Sequence, residues 1–140
     1  MKNLLFLGAL ALLLSASKCK DKVTFDIGQP FQLKVEQGGV SAAGDFGVKV
    51  DQIKEDSRCP KYTNCVWEGQ VTVTVSVKEK GGKTQTFDMT MRASDKQSAS
   101  RKVGEYQLRV KEVSPYPEAE KTIKKEDYVV TLLAQPIEKN

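Results

Sequence analysis

Two cysteines with five residues between them, Cys59 and Cys65, constrain this chain more than any other feature. They lie in Asp56-Ser57-Arg58-Cys59-Pro60-Lys61-Tyr62-Thr63-Asn64-Cys65-Val66-Trp67-Glu68-Gly69-Gln70, which also holds the single tryptophan and runs into a strongly alternating segment, Val71 to Val77. Pro60, Thr63 and Asn64 favour turns. A chain that turns back over so short a span can bring two Cα atoms within the roughly 4.4–6.8 Å that a disulfide needs. Closing the loop stabilises the fold by about 2–2.5 kcal/mol on chain-entropy grounds. The rival reading is a metal site, but zinc sites use tighter Cys pairs and four ligands, and the chain has no histidine. The expectation is therefore a disulfide-closed loop entering a central strand, in an oxidising compartment. Trp67 follows Cys65 by two, so on an extended strand both side chains point to one face. A Trp against a bridge is a core arrangement of immunoglobulin-type sandwiches, although there the bridge joins two sheets.

The N-terminus points to the same compartment. Met1-Lys2-Asn3 precedes an apolar run of 11 residues, Leu4 to Leu14. That is about half of what spans a bilayer, and it suits the core of a signal peptide behind a short basic start. Ser15-Ala16-Ser17 supplies the small residues expected before cleavage, and Cys19 follows, with Lys18 where a small residue is usual. A cysteine there predicts a lipoprotein signal over residues 1–18, a lipidated tether over 19–22 and a domain over 23–137, with ordinary secretion as the alternative. With three cysteines, a lipid on Cys19 would leave the other two to pair. Removing residues 1–18 takes away Lys2 and Lys18, so 22 basic residues become 20 against 18 acidic ones and the net charge falls from +4 to +2. No Arg cluster interleaves with aromatics, so nucleic-acid binding has no support.

At 140 residues the chain has room for one domain with a core. Val23 to Ile27 and Phe31 to Val35 alternate apolar and polar, as strands with one buried face do. Residues 36–44 are rich in Gly, Ala and Ser and read as a loop. Phe46 to Ile53 is a third strand in which Ile53 breaks phase, as it would at a bulge. Val71 to Val77 and Thr84 to Arg92, joined by Lys80-Gly81-Gly82-Lys83, form a hairpin. Residues 94–102 read as a second loop. Tyr106 to Val113 is a strand, residues 114–125 a long connection, and Tyr128 to Ala134 an apolar strand covered on both faces or central in its sheet. About seven strands with turn signals at this spacing predict an all-β fold, a single immunoglobulin-like antiparallel β-sandwich.

Catalysis has little support. Histidine is absent, and the adjacent carboxylates Glu55-Asp56 and Glu126-Asp127 point to opposite faces of an extended chain. No cofactor is expected. Met89 and Met91 could present two thioethers to a soft metal such as Cu(I), but a core-filling role suits them better. Tyr62 is the more informative residue, because an exposed aromatic on a bridged loop binds a partner with little ordering cost. Arg58 and Lys61 precede it as further candidate contacts, and Tyr116 between two prolines is a similar case.

The D-S-R-C-P and C-x-W-x-G pattern, at Asp56, Ser57, Arg58, Cys59, Pro60, Cys65, Trp67 and Gly69, resembles that of a group of small exported bacterial proteins, many of them lipoproteins. Pro115-Tyr116-Pro117 and Asp127-Tyr128 before an apolar strand are also similar to that group. The resemblance implies an extracytoplasmic β domain and brings no activity with it. Two functions follow as expectations. One is a non-catalytic binding or inhibitory module, tethered to a membrane of the bacterial envelope and engaging an exported protein or a glycan through rigid loops. The other is a structural accessory lipoprotein of an envelope complex, which would show a large apolar face or an open sheet edge. The tether generates a direct prediction: Cys19→Ser should move the protein from the membrane fraction to the soluble fraction. Retention on the membrane at the parent level would rule out a lipid on Cys19.

Overall fold

Every second residue from Val71 to Val77 is a valine, and an extended chain puts all four on one side. They are the buried spine of the fold, none more than 1% exposed. The structure is a computed structural model that describes residues 21–95 and 97–138; the expected signal segment 1–18, Cys19 and Lys20 lie outside the described residues. Nine strands form among the described residues: β1 Val23–Phe25, β2 Pro30–Lys34, β3 Gly38–Ser41, β4 Phe46–Asp56, β5 Val71–Glu79, β6 Gln85–Met91, β7 Ser100–Val103, β8 Tyr106–Ser114 and β9 Val129–Pro136. One 3₁₀ turn, Lys125–Asp127, precedes β9.

The strands make two sheets, in the orders β1-β3-β4-β5-β6 and β2-β9-β8-β7. All pairings are antiparallel except that of β1 with β3. The core holds the β5 valines, Phe46, Val48 and Val50 of β4, and Met89 of β6 from one sheet, with Leu33, Leu108, Val113, Val130 and Leu132 from the other. This is a two-sheet all-β sandwich. Its strand order is not the immunoglobulin one. Here β3, β4, β5 and β6 follow one another within one sheet, whereas an immunoglobulin domain sends its chain to the opposite sheet before four strands have accumulated.

The seven expected strands are all present, and the phase break at Ile53 falls where the β4–β5 register shifts, between Val50/Gln52 and Ile53/Glu55. Two strands occur in segments expected to be loops. β3 has almost no β-forming residues, yet Gly39 is buried and a Cβ there would lie 3.2 Å from both Leu33 and Phe25. Its small residues let the backbone approach the core closely, and pairing with β1 and β4 supplies what propensity lacks. β7 is a short charged edge strand on β8, with only Val103 buried, so it carries no alternation to read. β9 is central, between β2 and β8, but it alternates: Val130, Leu132 and Ala134 are buried, while Val129, Thr131 and Leu133 are half-buried.

A buried ion pair joins the sheets at one end. Arg58 donates from Nε to Asp56 Oδ1 at 2.8 Å and from Nη2 to Asp56 Oδ2 at 2.7 Å, with both side chains 7% exposed. Arg58 Nη1 donates to the carbonyl of Val113 on β8 at 2.6 Å, and Nη2 also to that of Pro115 at 3.1 Å. The Tyr128 hydroxyl, just ahead of β9, donates to Asp56 Oδ2 at 3.0 Å. At the other end Tyr106 of β8 donates to Asp45 at 2.8 Å, and Asp45 also accepts from Ser41. Hydrogen bonds from Ser41 and Tyr106 hold the Asp45 carboxyl below its usual range.

Burial, with the bond to Asp56 second, pushes the Tyr128 phenol from 10.0 up to about 12. A value raised in the folded state means that the folded chain holds a proton the unfolded chain has released. This contribution is complete below pH 10 and is lost as pH climbs towards 12. The unfolding free energy from denaturant titration should therefore fall across that window, and Tyr128→Phe should flatten part of the fall. The remainder belongs to Tyr106 and Lys54, held protonated by their bonds to Asp45 and Asp88. An unchanged slope in the variant would mean that the phenol is not buried on Asp56.

Candidate functional site

The hairpin of β4 and β5 does not end where its strands do. Ser57 N donates to the Gln70 carbonyl at 2.8 Å and Cys59 N to that of Glu68 at 3.2 Å, so the two arms continue to pair beyond the sheet. They come close because Gly69 is a glycine. Its φ is +68°, and a Cβ there would sit 1.8 Å from the Ser57 carbonyl oxygen and 2.9 Å from Arg58 Cα. Beyond this pinch the Cys59–Cys65 disulfide closes the tip, with the Cα atoms 5.9 Å apart.

The tip is braced on two sides. Lys61 N donates to the Pro117 carbonyl at 3.0 Å, joining the loop to the β8–β9 connection, and the Arg58 guanidinium lies 4.9 Å from the centre of the Tyr116 ring. On the other side the Glu68 carboxylate accepts from Ser94 N at 3.0 Å and from Ser94 Oγ. Below it, Gln70 Nε2 donates to Glu55 at 3.1 Å while its oxygen accepts from Arg92. Bonds from Gln70 and then Ser57 keep the Glu55 carboxyl below the usual range.

This braced tip displays apolar surface. Tyr62 is 102% exposed, Val66 107% and Trp67 79%, and with Tyr116 at 42% they are the exposed large hydrophobics among the described residues. Tyr62 also has φ 61°, a left-handed conformation uncommon for an aromatic residue and one that a tertiary context must hold.

The expected residues divide sharply. Cys59 and Cys65 are bonded to each other. Tyr62 and Lys61 stand exposed, and Tyr116 is partly covered by Arg58. Arg58 is not a surface anchor: it is 8% exposed, and its guanidinium is engaged by Asp56 and by two carbonyls. Trp67 does not pack inward beside the bridge. Pairing as β5 begins only at Val71, and the left-handed Gly69 interrupts the extended chain, so the two-residue alternation does not reach back to Trp67. Met89 is fully enclosed in the core while Met91 is half-buried, so at most one thioether of the pair faces outward. Glu55 and Asp56 point apart as expected, one to the hairpin surface and one into the buried ion pair. Among the described residues no group of three or more His, Cys, Asp and Glu is placed to hold a metal ion, and no helix is long and apolar enough to cross a membrane. Cys19 lies outside the described residues.

Sequence patterning does not reveal Val66 and Trp67 as displayed residues; the one available signal is the glycine at position 69, between Trp67 and the strand. A cavity of about 420 Å³ at the base of the loop was also missed. Its walls come from residues as far apart as Arg58 and Tyr116, which no local pattern connects.

The pinch at Gly69 separates two effects of a side chain. Gly69→Ala should destabilise the fold by about 2–4 kcal/mol, since it adds a backbone clash to an unfavourable φ. Gly44→Ala has a similar φ of +75° but nothing within 4 Å of the new Cβ, so it should cost only about 1 kcal/mol. Equal losses in thermal or denaturant unfolding would show that the arms are not held in contact.

Compared with protein-family models, with curated proteins and with solved structures, the chain matches none. What the site does must be read from its geometry.

Proposed function

We propose that the protein is a non-catalytic binding module of the bacterial cell envelope, held to a membrane by lipid on Cys19, that engages another exported protein through the bridged hairpin tip. The observation that carries this reading is the display of Tyr62, Val66 and Trp67 together on a braced, disulfide-closed loop. Large aromatic side chains left in water are poor candidates for stabilising their own domain and good ones for anchoring a partner, where each can contribute about 2 kcal/mol or more. The loop is already ordered by the bridge and by its bonds to Pro117 and Ser94, so little conformational entropy is lost on contact. The exposed aliphatic Val66 favours a protein surface over a glycan, whose flat sugar faces call for aromatics. A permanently docked structural subunit would present a broader apolar face, and the exposed large hydrophobics among the described residues are confined to this end.

The test separates recognition from folding. A photo-crosslinking side chain at Val66 in living cells should yield a discrete protein adduct, and that partner supplies the ligand for binding measurements. Tyr62→Ala and Trp67→Ala should each leave the unfolding free energy within about 0.5 kcal/mol of the parent. Each should weaken the partner's affinity by about thirtyfold. Adducts with polysaccharide alone would redirect the reading to a glycan. A lowered thermal midpoint with affinity per folded molecule intact would make the two residues packing groups and overturn it.

A further inference from the structure

The cavity at the base of the loop is distinct from the displayed tip, since Tyr62, Val66 and Trp67 take no part in lining it. It opens between the end of β6 and the bulge of β8, where the register slips between Val110 and Glu112 and Lys111 is left out of the ladder. At about 420 Å³ it falls within the range of small-molecule sites, about 300–1,000 Å³. Its floor is apolar: Ala99 and Val110 are buried, Met91 is half-buried and the Tyr116 ring forms one wall.

The mouth has a different character. Arg92, Arg109 and Lys111 are exposed there, and the lining contains one acid, Glu68, which is occupied by Ser94. Arg92 is bonded to Gln70, while the side chains of Arg109 and Lys111 have neither a hydrogen-bond nor an ion-pair partner among the described residues. Elsewhere on this domain some basic residues are paired with acids, as in Lys54 with Asp88 and Lys121 with Glu118, but few stand together beside an apolar recess. Uncompensated like charges gathered beside an apolar recess favour an anion that also carries an apolar part. A cation would be repelled, and a neutral apolar molecule would leave the basic groups without a partner.

We infer that this cavity binds an amphipathic organic anion, with its acid group between Arg109 and Lys111 and its apolar part against Met91, Ala99 and Val110. The apolar part can be an acyl chain or an aryl ring, and the shared chemistry is an acid group on a compact hydrophobic body. Amide chemical shifts of the protein titrated with octanoate and with 2-naphthoate test it, with octanol and octylammonium as uncharged and cationic counterparts. At least one anion should give saturable shifts centred on Met91, Ala99 and Val110, and octanol should bind about tenfold more weakly than octanoate. Tighter octanoate identifies an acyl ligand and tighter 2-naphthoate an aryl one. Arg109→Glu combined with Lys111→Glu, both exposed positions, should weaken binding by about tenfold or more with the thermal midpoint retained. Ala93→Trp, an exposed residue of the lining, should block the mouth and abolish binding. Tyr62→Ala and Trp67→Ala should bind the anions as the parent does, so failure here and failure of the tip as a protein contact are read separately. Equal affinity for octanol and octanoate, indifference to the double charge reversal, or shifts that collect on the tip would each overturn the inference.

Discussion

The ion pair between Asp56 and Arg58 is the interaction on which the rest of this structure depends. Asp56 is the last residue of β4, while Arg58 reaches the carbonyls of Val113 and Pro115 and Asp56 accepts from Tyr128, so one buried pair ties the first sheet to β8 and to the segment that leads into β9. Such a pair adds little net stability, because desolvating two charges offsets their attraction, but losing one partner costs about 3–5 kcal/mol. Its contribution is therefore one of position. With no buried side-chain polar atom left unpaired among the described residues, the geometry at this end of the sandwich has few alternatives.

That position is passed on to the hairpin tip through short contacts. Arg58 precedes Cys59, so the first arm of the bridged loop starts from a residue fixed in the core. Gly69 permits the second arm to lie against the first, and the disulfide closes what remains. Tyr116 sits under the Arg58 guanidinium and brings the β8–β9 connection alongside. The aromatic tip and the basic-mouthed cavity are thus built on the same support. Each gains from rigidity, since a preformed surface loses less entropy on binding than a flexible one.

Local pattern was enough to read much of this. The valine alternation of β5, the hairpin to β6 and the break in phase at Ile53 survive folding because each depends on neighbours close in sequence. The bridge was legible for the same reason, as Cys59 and Cys65 are near enough for a turn to join them. β3 and β7 were not legible, because their residues have little strand preference and are held by the strands beside them.

By itself the sequence determined the all-β class, the strands with one buried face, the Cys59–Cys65 bridge and a loop rich in contact-forming side chains. Tertiary structure alone decided which of those side chains face water. Arg58 and Trp67 exchanged the roles their types and spacing implied: the charge went inward because Asp56, Val113 and Pro115 met it there, and the indole outward because Gly69 broke the strand before it. The cavity exists only once β6, β8 and the loop are assembled, for its lining is drawn from segments far apart in the sequence. Burial and charge compensation depend on which distant groups arrive, and spacing along a chain carries no record of that.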